Sequence, residues 1–163
     1  PDEYWRASMD LLGDDPHINM KEYRLRTNMT HREIRDRAPA FIGSSATVED
    51  SLFYSGCRIE GTVIHSVLFP GVTVAKNAVV EDSILFFDSK VGEGSKICRT
   101  IADVDTSLGR KTEIGDPAGD LSIIGRGTTV PDAIRITGGV SVFPNLNEEA
   151  FERNLYTKGD IVE

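Results

Sequence analysis

Long apolar runs are absent from this chain of 163 residues, and aromatic side chains make up only 7% of it, with a single tryptophan. No stretch approaches the roughly 20 apolar residues that a membrane-spanning helix needs, and no charged-apolar-small leader precedes the first helical segment. The cytoplasm is therefore the expected compartment, with no membrane partner. Cysteine is equally scarce. Cys57 and Cys98 form neither a Cys-x-x-Cys pair nor a cluster with histidine, which excludes a zinc site of the usual spacing. Positive charge is short as well: 18 Lys and Arg stand against 26 Asp and Glu, a net charge of −8. Most of such a surface repels a phosphate backbone, so nucleic acid is excluded as a partner. A glycine-rich phosphate loop with its lysine, a metal-binding carboxylate cluster and a nucleophile elbow are all missing. No catalytic residue and no metal ligand is assigned, and no cofactor is expected in this chain.

What the chain does have is a six-residue unit, a bulky aliphatic residue followed four positions later by a smaller one. The aliphatic positions run Ile42, Val48, Phe53, Ile59, Leu68, Val74, Val80, Leu85, Val91, Ile97, Leu108, Ile114, Ile124, Val130, Ile136 and Val142, with Ala102 the one small occupant. The smaller partners include Ala46, Cys57, Val72, Ala78, Ser89, Ser95, Thr106, Thr112 and Thr128, while Leu52, Ile84, Ile101 and Ile134 break the size rule. Both sets are expected to point inward. Such a period belongs to neither a helix nor an ordinary strand; it is the mark of an all-β solenoid of hexapeptide repeats. Spacings of six, six and five from Leu68 to Leu85 make one turn of about seventeen residues with three faces. About six turns at a strand spacing near 4.8 Å predict a prism roughly 30 Å long.

Three segments lie along this coil. Residues 1–41 read as an N-terminal helix and linker, with Tyr4, Trp5, Met9, Leu11 and Leu12 on one helical stripe. The absence of a starting Met ahead of that helix suggests a piece of a longer protein. Residues 42–142 form the solenoid, interrupted by Gly115-Asp116-Pro117-Ala118-Gly119-Asp120 as a loop that leaves the prism and returns. Residues 143–163 are expected to hold a capping helix over 148–155, started by Asn147 and leading with acids as the helix dipole favours.

Few side chains stand out chemically. His65 is the single histidine inside the repeats, and a hexapeptide acyltransferase would need it as a base. The alternative is a plain corner residue. Arg24 and Arg26 flank Leu25 and would point to one side of an extended segment, where they would grip a phosphate by charge-assisted hydrogen bonds. Arg153 and Lys158 in the tail are the further candidates for holding a phosphorylated effector.

The order of the whole chain resembles the C-terminal domain of bacterial glucose-1-phosphate adenylyltransferase, the ADP-glucose pyrophosphorylase family. The opening Tyr4-Trp5-Arg6-Ala7-Ser8-Met9-Asp10-Leu11-Leu12, the linker Arg24-Leu25-Arg26-Thr27, the repeats marked by Ser51, Ser66 and Ser83, and the closing segment from Tyr156 to Val162 carry the resemblance. It implies a left-handed parallel β-helix with short N- and C-terminal helices. It implies a parent enzyme that makes ADP-glucose and pyrophosphate from ATP and glucose 1-phosphate, for glycogen biosynthesis. The nucleotide and its Mg²⁺ would bind an N-terminal catalytic domain, against which this chain would pack, helping to build a homotetramer and part of an allosteric effector site. Val104 departs from the family pattern, since relatives often carry Arg or Lys there. The competing readings are a related sugar-nucleotidyltransferase, a non-catalytic paralogous subunit and, less favoured, the acyltransferase.

Overall fold

The computed structural model describes residues 1–24 and 37–163. Three parallel sheets make the walls of a prism. The first holds six strands: Phe41–Ile42, Arg58–Ile59, Thr73–Val74, Lys90–Val91, Ser107–Leu108 and Thr129–Val130. The second holds seven: Thr47–Glu49, Thr62–Ile64, Val79–Glu81, Lys96–Cys98, Glu113–Ile114, Arg135–Ile136 and Leu155–Tyr156. The third also holds seven: Leu52–Phe53, Val67–Leu68, Ile84–Leu85, Thr100–Ala102, Ser122–Ile124, Ser141–Val142 and Ile161–Val162. Each strand pairs with its counterpart one turn on, so Val74 lies beside Val91 and Val91 beside Leu108. The expected β-solenoid is present, with about one turn more than its period suggested.

Its interior is the predicted register. Leu68, Leu85, Val80, Ile97, Ala102, Ile114, Ile124 and Ile136 are all buried in one cluster that runs along the prism. A residue pointing into so narrow a prism has strand neighbours above and below and two walls opposite. That explains why short two- and three-residue strands suffice to exclude water. The polar members of the inward corners are also satisfied. Ser95 Oγ donates to Gly109 O at 2.6 Å, Thr106 Oγ1 to Ser89 Oγ at 3.0 Å and Ser89 Oγ to Asp103 O at 3.0 Å. Among the described residues no buried side-chain nitrogen or oxygen lacks a partner, as the cost of orphaning one requires.

Several turns depart from seventeen residues, the last of them running twenty from Ile136 to Tyr156. Ile59 pairs with Val74, only fifteen residues on, and the missing pair comes out of the corner at Gly61, where any Cβ would collide with the carbonyl oxygens of Ala75 and Ala78. Leu108 pairs with Val130, twenty-two residues on, and the surplus is the loop 116–121. At the other corners glycine serves close approach. A Cβ on Gly109 would lie 2.5 Å from the backbone of Pro131 in the next turn.

Not every second-set residue points inward. Ile134 does, at 4% exposure, but Leu52, Ile84 and Ile101 lie on the outside of the third sheet. The face between the second and third sheets is five residues long rather than six, so the fourth position after the aliphatic one has already rounded the corner. Helix α1, Asp2–Met9, covers that outer column. Met9 and Leu12 pack with Val67, Ile84 and Ile101, and Trp5 lies against them.

The C-terminal capping helix is not formed. Asn147 does accept from Glu149 N at 3.1 Å, but what it starts is a single 3₁₀ turn, Glu148–Ala150. Strand pairing then resumes, Tyr156 beside Ile136 and Val162 beside Val142, so pairing continues past the boundary drawn at residue 142. The segment 148–155 offers a helix little apolar surface to bury. Tyr156 and Val162, six apart, offer the solenoid another rung.

Candidate functional site

The corner between the second and third sheets gathers more chemistry than any other part of the described chain. Asp50, His65, Asp82 and Arg99 occupy equivalent positions in successive turns, all with positive φ, between 42° and 48°. Aspartate tolerates this left-handed conformation better than most residues; His65 and Arg99 are held there by their partners. His65 Nδ1 lies 2.6 Å from Asp82 Oδ1, and its Nε2 lies 3.9 Å from Asp50 Oδ2. Both ring nitrogens therefore face carboxylates of the chain itself, an arrangement that ties three turns together.

Behind this column runs a ladder of hydroxyls. Ser66 N donates to Ser51 Oγ at 3.1 Å, Ser83 N to Ser66 Oγ at 3.1 Å and Thr100 N to Ser83 Oγ at 3.2 Å. Each hydroxyl in turn donates to the carbonyl two residues before it, as Ser83 Oγ does to Glu81 O at 2.7 Å. The serine marks at positions 51, 66 and 83 are thus structural: they supply acceptors to backbone N–H groups that the sharp corner leaves outside the strand ladder.

Helix α1 is fastened to this corner. Trp5 Nε1 donates to Asp82 O at 2.6 Å, Gly13 N donates to Asp50 Oδ1 at 2.5 Å, and the Arg99 guanidinium stands 4.5 Å over the Trp5 ring. Arg99 Nε also donates to Gly119 O at 3.0 Å, reaching the inserted loop. The loop closes over Cys98 as well. That residue points away from the main core, as its place in the repeat requires, yet it is 9% exposed beneath a hollow of about 270 Å³ lined in part by Lys96, Glu113, Asp116 and Pro117. Burial, helped by the nearby Glu81 and Asp82 carboxylates, pushes its thiol up to about 11, which makes it a poor nucleophile at neutral pH.

The described phosphate candidates lie on two segments, the turn after helix α1 and the tail. Arg24 ends a turn and has a φ of 51° rather than an extended backbone, because Asn19 folds the chain by accepting from Lys21 N and Glu22 N. Arg26 lies outside the described residues. Arg153 and Lys158 belong to the last turn, each beside a carboxylate. Arg153 Nη2 is 3.4 Å from Asp160 Oδ2, and its guanidinium lies 4.7 Å over Tyr156. Lys158 Nζ is 2.5 Å from Asp120 Oδ2, and that hydrogen bond holds the Asp120 carboxyl below its ordinary value. Asp120 and Arg99 escaped the sequence reading, since only the fold brings them to Lys158 and Trp5.

The solenoid and its fastened helix define a hexapeptide-repeat domain. The sequence model of the GlmU-like, C-terminal hexapeptide family matches residues 39–124, and the chain belongs to that family. Among its relatives, glucose-1-phosphate adenylyltransferase of Acetivibrio thermocellus is 30% identical over 161 residues, covering 91% of this chain and 37% of the relative. The enzyme of the same name from Bacillus mycoides is 40% identical over 97 residues, covering 60% of this chain and 25% of the relative. The matches fall in the C-terminal portion of these enzymes, and the chain spans about a quarter to just over a third of their length. Among solved structures, the acetyltransferase domain of PglB from Neisseria gonorrhoeae in complex with acetyl coenzyme A is 19% identical, with a TM-score of 0.33, over 77% of this chain and 54% of that one. That likeness is too slight to bear on function.

Proposed function

We propose that this chain is the assembly and regulatory domain of a glucose-1-phosphate adenylyltransferase, an enzyme that joins ATP and glucose 1-phosphate into ADP-glucose with release of pyrophosphate. The observation that carries the reading is the 30% identity with an enzyme of that name, over 161 residues and 91% of this chain. A stand-alone acyltransferase gives α1 no role. The chemistry and its Mg²⁺ belong to a nucleotide-binding domain outside this sequence. Among the described residues no group of three His, Cys, Asp or Glu side chains is placed to hold a metal ion.

The domain's own work is then to pack against that catalytic domain, to hold subunits together as a tetramer in the cytoplasm, and to bind an anionic effector. Arg153 and Lys158 are the cations available for the last task on the final turn, with Arg24 and Arg26 on the linker. Both tail cations carry carboxylate partners, so an effector must bring more charge and better acceptor geometry than a single carboxylate, as a phosphate does.

Pyrophosphate release by the full-length enzyme, supplied with glucose 1-phosphate and either ATP or GTP, tests the reading against this chain alone. Turnover with ATP by the full-length enzyme and none by the isolated chain is the expected result. Turnover by the isolated chain, or none by the full-length enzyme, overturns it.

A further inference from the structure

We propose that the loop 116–121 couples the last turn of the solenoid to helix α1, so that an anion bound at Lys158 is felt at Trp5. The inference rests on the reading of Lys158 as an anion-binding residue.

The loop touches both parties. On one side Gly119 O accepts from Arg99 Nε at 3.0 Å, and the same guanidinium stacks on Trp5 at 4.5 Å. Leu121, 8% exposed, packs in the cluster of Met9, Leu12 and Ile101 under the helix. On the other side Asp116 Oδ2 accepts from Gly138 N at 2.9 Å, and Asp120 pairs with Lys158 at 2.5 Å. Nothing about a seventeen-residue turn requires this insertion. Its polar contacts lead away from the prism's interior, toward the helix and toward the tail.

Asp120 occupies the place an incoming anion would take. A phosphate bound to the Lys158 ammonium displaces the Asp120 carboxylate into water and removes one of the ties between the loop and the last turn. The loop then has two arrangements, pinned to Lys158 or released from it, and Arg99 carries the difference to the indole ring. The effect is bounded by the strength of the pin. Lys158 and Asp120 are 76% and 58% exposed, and an exposed ion pair changes an equilibrium constant by at most about five-fold.

Trp5 is the only tryptophan in the chain, so its emission reports the helix dock directly. Inorganic phosphate is titrated at constant ionic strength into the unaltered protein and into Asp120→Asn, Lys158→Ala and Arg99→Ala, following heat by calorimetry and Trp5 emission in parallel. Asp120→Asn should bind phosphate up to about five-fold more tightly. Without phosphate it should shift Trp5 emission in the same direction as saturating phosphate does in the unaltered protein. Lys158→Ala should lose the binding heat, and Arg99→Ala should keep the heat while its emission no longer responds. Heat with an unmoved Trp5 in the unaltered protein overturns the coupling and leaves the anion site standing. No heat in either the unaltered protein or Asp120→Asn overturns the anion site and the coupling with it.

Discussion

The two ends of the solenoid use the same repeat and come out differently. In the first turn the inward residues Ile42 and Phe53 are 45% and 37% exposed, while Val130 and Val162, in the last strands of the same two sheets, are 1% and 3% exposed. The last turn is closed because Leu146, Ala150 and Phe151 fold against it, with the Phe151 ring edge-on to Tyr156 at 5.9 Å. No such lid covers the first turn among the described residues. A hexad is therefore not a core element in itself. Its side chain is buried only when a neighbour lies on both sides, which is the nearest-neighbour energetics of a repeat protein.

Charge placed at equivalent positions tests this most severely. Ile97→Asp puts an unpaired carboxylate between two turns in a dry interior and should cost several kcal/mol, enough to unfold much of the stack. Ile42→Asp at the open end should cost under about 1 kcal/mol, the scale of a surface substitution. Urea titration followed by circular dichroism checks the pair; equal midpoints would refute the inward register. A smaller contrast follows for the hydroxyl ladder. Ser83→Ala strands the buried Thr100 N–H and should cost about 1–3 kcal/mol. Ser51→Ala, on the more open first turn, should cost less than half of that.

Much of this contrast was legible beforehand and some was not. The spacing of Leu68, Val74, Val80, Leu85, Val91 and Ile97 contains the three faces and the inward register, because each position sees the same surroundings in every inner turn. Leu52, Ile84 and Ile101 misled for a physical reason. A five-residue face drops one inward corner, and a periodic reading that allows for six assigns the outward residue to the core. Tyr156 and Val162 keep the six-residue spacing, yet the Asn147 cap and the acids after it look like a helix start. What decides between them is burial against Ile136 and Val142, a non-local contact. The candidate site was least legible of all. Lys158 was visible as a tail cation, but Asp120, Arg99 and Trp5 meet it only through the loop and the helix dock.

The lid itself can be removed. Phe151→Ala takes away a half-buried ring and its edge contact with Tyr156 and should cost about 1–2 kcal/mol, below the 3–5 of a fully buried aromatic. Hydrogen exchange should show the loss confined to the last turn, making that end resemble the first. Protection lost uniformly along the prism would mean that the stack melts as one unit and that its ends are not independent.

The smallest expected effect lies at the other end. Arg37 leads into the first turn and grips Asp88 three turns on through a forked pair, at 2.6 and 2.7 Å. That hydrogen bonding holds the Asp88 carboxyl below its ordinary value. A carboxyl depressed in the folded state adds stability that is fully present above its unfolded pKa, near 3.9, and is lost as pH falls through the lower folded value. Asp88 is 38% exposed in its side chain, so solvent screening keeps the contribution within about 1 kcal/mol. Asp88→Asn should therefore be less stable than the unaltered protein at pH 7, with the gap closing as pH falls below the unfolded pKa. A gap that persisted unchanged at acid pH would mean that shape, rather than charge, makes the Arg37 anchor.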